Sequence, residues 1–131
     1  MRSSSDRSLN GISVLVVDGD HERRAHIVGI VRDCGALVMP AQSMDAALAV
    51  MALLTPDVVV VDFTRPDDLG LPLIRQVKSR APDDGEAIAV IAVSESDANA
   101  ELARTSGFDG YLAAPFEPSE LCGLVATLWN R

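Results

Sequence analysis

No apolar run in this chain approaches the ~20 residues that a helix needs to cross a bilayer, and no membrane span is expected. The opening residues, Met1 to Ser8, lack the apolar stretch of a secretory signal and read as part of a short disordered tail over residues 1–10. Positive charge is in short supply. The formal net charge is −8, and such a surface repels phosphate and anionic lipid. Neither nucleic acid nor a membrane is expected as a direct partner. Cysteine is scarce too: Cys34 and Cys122 are far apart, form no CxxC pair, and are expected to be unbridged residues of the core. These absences together favour a cytoplasmic location. There is no internal repeat, linker or second domain, so residues 11–131 are expected to fold around one core.

What is present is ordinary for a globular protein, with 48% hydrophobic and 23% charged residues. Apolar runs near 13–18, 36–40, 57–62, 88–93 and 109–113 alternate with helical patterns. That alternation predicts a parallel sheet with helices on both faces. Helix one begins near Asp20, presents Ile27, Val28, Ile30, Val31 and Cys34 on one face, and stops at Gly35. Ser43 is suited to cap helix two, which carries Ala47, Leu48, Met51 and Leu54 before Pro56. Helix three starts around Asp68 with Leu73, Ile74 and Val77, and Ser79 to Glu86 reads as a loop. Helix four runs from about Asp97 to Gly107, and helix five from about Pro118 through Leu121, Leu124, Val125 and Leu128. Right-handed crossovers favour a flavodoxin-like (βα)5 three-layer sandwich with strand order 2-1-3-4-5.

Two valine-rich strands end in acids: Val14 to Val17 leads into Asp18, and Val58 to Val61 into Asp62. Their composition suits strands buried on both faces. In the expected order they are neighbours, so both carboxylates arrive at the carboxyl edge of the sheet, where open α/β folds build their sites. Asp20 follows at the start of helix one. Carboxylates this close repel one another and call for a cation, and hard oxygen ligands suit Mg²⁺.

Asp62-x3-Pro66-x3-Gly70 and Tyr111-Leu112-Ala113-Ala114-Pro115-Phe116 add two motifs at fixed spacing. With Gly107-Phe108-Asp109-Gly110 before the last strand, the chain resembles a CheY-like response-regulator receiver domain of two-component signalling over about residues 12 to 130. The resemblance implies that Asp62 accepts a phosphoryl group from a sensor histidine kinase or phosphotransfer protein. It implies that Asp18, Asp62 and the Thr64 backbone carbonyl hold Mg²⁺, and that Ser94 and Tyr111 form a switch. It further implies that helix four, strand five and helix five meet a downstream protein or form a homodimer.

Two positions depart from the family pattern. Gly19 stands where the second metal-site acid belongs, and Ala114 stands where the family has a lysine. Both losses weaken charge neutralisation around a phosphoryl group in transfer. The expected function is thus that of a receiver with impaired or absent aspartyl phosphorylation and weak or lost Mg²⁺ binding. Such a domain acts as a phospho-switch or as a phosphorylation-independent interaction module, and not as an enzyme. Asp20 and Arg65 are the candidate compensating groups, as an extra metal ligand and a replacement positive charge respectively, though a solvated loop role fits Arg65 better. His21 could join Asp18 and Asp20 around a transition metal, though a surface role fits a first-turn histidine better. The alternative is a haloacid-dehalogenase-type phosphatase, with Asp18 as nucleophile and Asp20 as general acid. That reading explains Gly19 but leaves the motifs at Asp62 and Tyr111 unused. A flavodoxin-like FMN site is disfavoured because Asp18-Gly19-Asp20-His21-Glu22 offers phosphate no donors of the required kind.

Overall fold

The computed structural model describes residues 8–79 and 88–130. Strands and helices alternate: β1 (Ser13–Val17), α1 (His21–Asp33), β2 (Leu37–Ala41), α2 (Met44–Leu53), β3 (Val58–Asp62), α3 (Gly70–Lys78), β4 (Ala89–Ser94), α4 (Ala100–Thr105), β5 (Gly110–Ala113) and α5 (Pro118–Trp129). A short 3₁₀ turn, Asp97–Asn99, precedes α4. The sheet order is β2-β1-β3-β4-β5, and every pairing is parallel. This is the flavodoxin-like topology expected from the alternation of elements.

The valine runs follow from the two-sided sheet. In β1, Val14 and Val16 face one layer with α1 and α5, while Leu15 and Val17 face the other with α2 and α3. Successive side chains of a strand point to opposite faces, so a central strand covered on both sides has no position for a polar residue. In β3, Val58 to Val61 are all buried, and polarity returns only at Asp62.

Local signals place the helix starts. The Asp20 carboxylate caps α1 by accepting from the Arg23 backbone N–H at 2.8 Å. Ser43 caps α2 through the Ala46 N–H at 3.1 Å. At α5, Glu117 as N-cap and Glu120 in the first turn form a capping box that spans Pro118. Gly35, with φ near 103°, turns the chain out of α1 in the left-handed region open to glycine.

Several expectations need correction. Cys34 and Cys122 form a disulfide across 88 residues of sequence, with Cα atoms 6.7 Å apart. The expectation of unbridged cysteines fails because α1 and α5 pack side by side on one face of the sheet, bringing the end of one against the second turn of the other. Order also begins before residue 11. Leu9 is fully buried, and its N–H donates to the Cys34 carbonyl at 3.0 Å, while residues 1–7 of the expected tail lie outside the described residues. Leu54 is 57% exposed, because α2 ends at Leu53 and the chain turns away from the core there. α3 begins at Gly70 instead of near Asp68, since Arg65 to Asp68 are taken up by a turn. The expected loop from Ser79 to Glu86 lies, past Ser79, outside the described residues.

Candidate functional site

β1 and β3 run in register as neighbours, Val17 opposite Val61, so Asp18 and Asp62 leave the sheet side by side. Asp18 is 1% exposed and Asp62 14%. The cation between them comes from the chain itself. Arg23 Nε donates to Asp18 Oδ2 at 2.7 Å, and Arg23 Nη2 donates to Asp18 Oδ1 at 3.0 Å. The same Nη2 lies 3.2 Å from Asp62 Oδ2, and Nη1 donates to Glu95 Oε2 at 2.9 Å. One guanidinium therefore joins the ends of β1 and β3 to the segment that follows β4.

The helix cap explains how Arg23 gets there. Asp20 as N-cap puts Arg23 at the third position of the first turn, above the carboxyl edge of the sheet. The planar fork of arginine matches a carboxylate with two parallel hydrogen bonds, which a lysine cannot do. The Asp18 hydrogen bond, and then the charges of Asp18, Asp62 and Asp20, hold the guanidinium above its already high ordinary proton affinity. Partial burial opposes this but is outweighed.

Backbone groups occupy the remaining acceptors. Asp18 Oδ1 also receives the Asp20 N–H at 2.9 Å, and Asp62 Oδ1 receives the Thr64 N–H at 3.1 Å. The carbonyls of Phe63 and Thr64 face the Asn99 side-chain amide at 3.2 and 3.4 Å. The Thr64 hydroxyl is buried without a hydrogen-bond partner. Arg24 Nη1 donates to the Asp18 carbonyl at 2.9 Å and Nη2 lies 3.2 Å from His21 Nδ1.

These contacts sort the expected site residues. Asp18 and Asp62 are brought together. The Asp20 carboxylate accepts the α1 cap bond from the Arg23 N–H and makes no hydrogen bond to Asp62 among the described residues, though its charge bears on Arg23. Arg65 is 84% exposed and lies 3.8 Å from Asp68, a solvated loop arginine that supplies no charge to the acid pair. His21 neighbours Arg24 at the surface rather than a metal-ligand set. Thr64 lies beside Asp62, but its carbonyl is engaged by Asn99. Ser94 is 2% exposed at the end of β4, and its carbonyl accepts from the Ala114 N–H at 2.8 Å. Tyr111 is half-buried against Phe63, Ala92 and Ala103, with its hydroxyl donating to the Ser96 carbonyl. Ala114 is exposed and precedes a cis Pro115.

Arg23 was missed by sequence reading, as was Asn99. The signal for Arg23 was faint: an arginine three residues past an N-cap, five past the strand-ending acid. Mg²⁺ fits this donor set poorly. Gly19 removes one carboxylate, both oxygens of Asp18 are held by Arg23, and no three His, Cys, Asp or Glu side chains converge as metal ligands among the described residues. A Cβ on Gly19 would meet only the Gln42 carbonyl at 3.8 Å, so packing does not demand glycine there.

Gly70 closes the Asp62-x3-Pro66-x3-Gly70 motif for a packing reason. A Cβ there would stand 2.2 Å from the Phe63 ring. That ring in turn meets Phe108 edge-on, with centroids 4.8 Å apart. The motif thus seats Phe63, the residue after Asp62, under the start of α3.

The chain is similar to known proteins in sequence and in fold. The family model of the response regulator receiver domain matches residues 14–126. An uncharacterized 14.6 kDa protein of Leptolyngbya boryana is 34% identical over 123 residues, covering 91% of each chain. The transcriptional regulatory protein PhoP of Escherichia coli is 30% identical over 118 residues, covering 90% of this chain and 52% of that protein. The chain thus spans about half the length of PhoP. A putative response regulator from Chloroflexus aurantiacus aligns with a TM-score of 0.80 at 27% identity, over 92% of this chain and 98% of the other. The Francisella response regulator 1452 receiver domain gives 0.77 at 27% identity, with coverage of 92% and 98%. With its strand order and match across most of its length, the chain belongs to the response regulator receiver domain family, the CheY-like receivers of two-component signal transduction.

Proposed function

We propose that this receiver signals chiefly through protein contacts, with aspartyl phosphorylation at Asp62 impaired or absent. The observation that carries the reading is the composition of the acid site. Gly19 leaves two carboxylates, Asp18 and Asp62, at the sheet edge, and Ala114 offers no ammonium group opposite them. Phosphoryl transfer relies on positioned charge to stabilise its transition state. A site short of both a metal-binding acid and a lysine lacks two of the groups that would supply it, and Mg²⁺ binding is weak for the same reason. Asp62 remains the phosphoacceptor for whatever transfer occurs from a sensor histidine kinase or phosphotransfer protein.

Output is assigned to α4, β5 and α5, toward a downstream protein or a second copy of the chain. Ser94 and Tyr111 connect that face to the acid edge: Ser94 ends β4 beside β5, and Tyr111 reaches from β5 to the Ser96 carbonyl. The location assigned is cytoplasmic, a compartment that would keep Cys34 and Cys122 reduced, and the domain assigned is residues 11–131 extended by Leu9. No described helix is long and apolar enough to cross a membrane.

The test is incubation of the purified protein with acetyl phosphate and Mg²⁺, read by intact mass and a hydroxylamine-sensitive gel shift. Little or no phosphorylated species is expected. Rapid stoichiometric labelling that vanishes in Asp62→Asn would overturn the proposal.

A further inference from the structure

We propose that Arg23 is a built-in counter-cation that closes the acid site to divalent metal and tethers the segment after β4 to it. The inference deepens the reading above, and rests on it for the claim that the site is not an efficient phosphoacceptor.

The first argument is charge. Two carboxylates side by side, one of them wholly buried, require positive charge nearby. Arg23 supplies it with a bidentate grip on Asp18 and a third contact to Asp62, at 2.7, 3.0 and 3.2 Å. A hydrated divalent cation would need the same oxygens. The two cations therefore compete for one place, and the intramolecular one is always present. Unlike a metal, an arginine neither dissociates nor responds to cation concentration.

The second argument is connectivity. Nη1 of the same guanidinium donates to Glu95, the residue after Ser94. Glu95 is followed by Ser96, whose hydroxyl caps the 3₁₀ turn through the Ala98 N–H at 3.2 Å and whose carbonyl receives the Tyr111 hydroxyl. Asn99, at the end of that turn, donates back to the Phe63 and Thr64 carbonyls beside Asp62. The residues 95–99 are thus held at both ends by groups next to the acid pair. Arg23 is a positioning residue in this network: it sets where Glu95 lies, and Glu95 leads directly to the residue that anchors Tyr111.

The experiment is a Mg²⁺ titration followed by amide NMR on the whole chain, as wild type, Arg23→Gln, Arg23→Lys and Glu95→Gln. In the wild type, amides at Asp18, Asp62 and Thr64 are expected to show no saturable shift up to about 10 mM Mg²⁺. Arg23→Gln is expected to bind Mg²⁺ at least about tenfold more tightly. Arg23→Lys retains a charge without the fork; it continues to exclude Mg²⁺ but releases Glu95, and it guards against a folding failure in the glutamine variant. Glu95→Gln changes an exposed side chain. It is expected to leave metal exclusion intact while shifting the amides of Ser96 to Asn99 and of Tyr111.

Equal Mg²⁺ affinity in wild type and Arg23→Gln would overturn the counter-cation role. Unmoved amides at Ser96 to Asn99 in both Glu95→Gln and Arg23→Lys would overturn the tether. Acetyl phosphate labelling of the same samples keeps the two proposals apart. Efficient labelling of wild type defeats the impaired-phosphorylation reading, whereas equal Mg²⁺ binding without labelling defeats only the role given to Arg23.

Discussion

Arg23 holds both carboxylate oxygens of Asp18 in a two-pronged grip, Nε to Oδ2 at 2.7 Å and Nη2 to Oδ1 at 3.0 Å. Asp18 is nearly inaccessible, while the arginine is about a quarter exposed. Removing one partner of a buried pair typically costs ~3–5 kcal/mol, because the other is left buried and uncompensated. Solvent access to the guanidinium lowers that figure here. Arg23→Met, which keeps bulk and removes charge, is expected to lower stability by about 2–3 kcal/mol in urea unfolding without divalent metal. A loss under ~0.5 kcal/mol would mean that the pair is worth little, as at an open surface.

The pH dependence of that contribution follows from the sign of the arginine's shift. Its proton affinity is raised in the folded state. Stability from such a group is complete at any pH below the ordinary arginine value and is lost only as pH rises through the folded value, in strong alkali. The stability gap between wild type and Arg23→Met should stay level from about pH 7 to about pH 10. A gap that closes across this range, measured by denaturation at several pH values, would show that a different group controls the pair.

Gly70 and Gly123 should respond to alanine in opposite directions. At Gly70 the new methyl would run into the Phe63 ring, whereas at Gly123, exposed in the middle of α5, it meets nothing within 4 Å. Gly70→Ala is expected to cost about 1–3 kcal/mol through overpacking. Gly123→Ala should add about 0.5–1 kcal/mol by limiting the unfolded chain and favouring helix. Thermal melts of the two variants give the comparison; a stabilised Gly70→Ala would refute the close-packing account.

The Cys34–Cys122 bridge spans 88 residues of sequence. Cross-links over long loops restrict the unfolded chain most, and typical contributions are ~2–4 kcal/mol. Cys34→Ser, or reduction by dithiothreitol, should lower stability by about that amount. Unfolding curves that coincide with and without reductant would show that the bridge contributes nothing.

On the reading proposed here, repairing the acid site takes three changes. Gly19→Asp and Ala114→Lys restore charges, and the space at Gly19 accepts a side chain. With Arg23 still on Asp18, the added acid gains no vacant partner. Gly19→Asp/Ala114→Lys/Arg23→Met is therefore expected to label with acetyl phosphate about tenfold or more faster than Gly19→Asp/Ala114→Lys alone. Equal rates for the double and triple variants, followed by intact mass, would show that Arg23 does not obstruct the chemistry.

Much of the fold was legible in the order of residues, because its determinants are local. Val14 to Val17 and Val58 to Val61 can only be strands covered on both faces, and Asp20 and Ser43 cap the helices that follow. The alternation of strand and helix, with right-handed crossovers, then leaves few orders for the sheet. The convergence of Asp18 and Asp62 follows from that order, as do the positions of Ser94 and Tyr111 near the same edge. What tertiary structure alone decided is who meets whom at long range. Arg65, three residues from Asp62, turned outward to Asp68, while Arg23 reached a carboxylate at the end of each of two strands and a third 72 residues away. Cys34 met Cys122 because α1 and α5 share one face. A side chain's direction across a strand-to-helix turn depends on the exact placement of the cap, and a pairing between helices depends on where each crossover comes to rest. Residue type and spacing leave both open, so the cation of this acid site could be required from the sequence but identified only in the folded molecule.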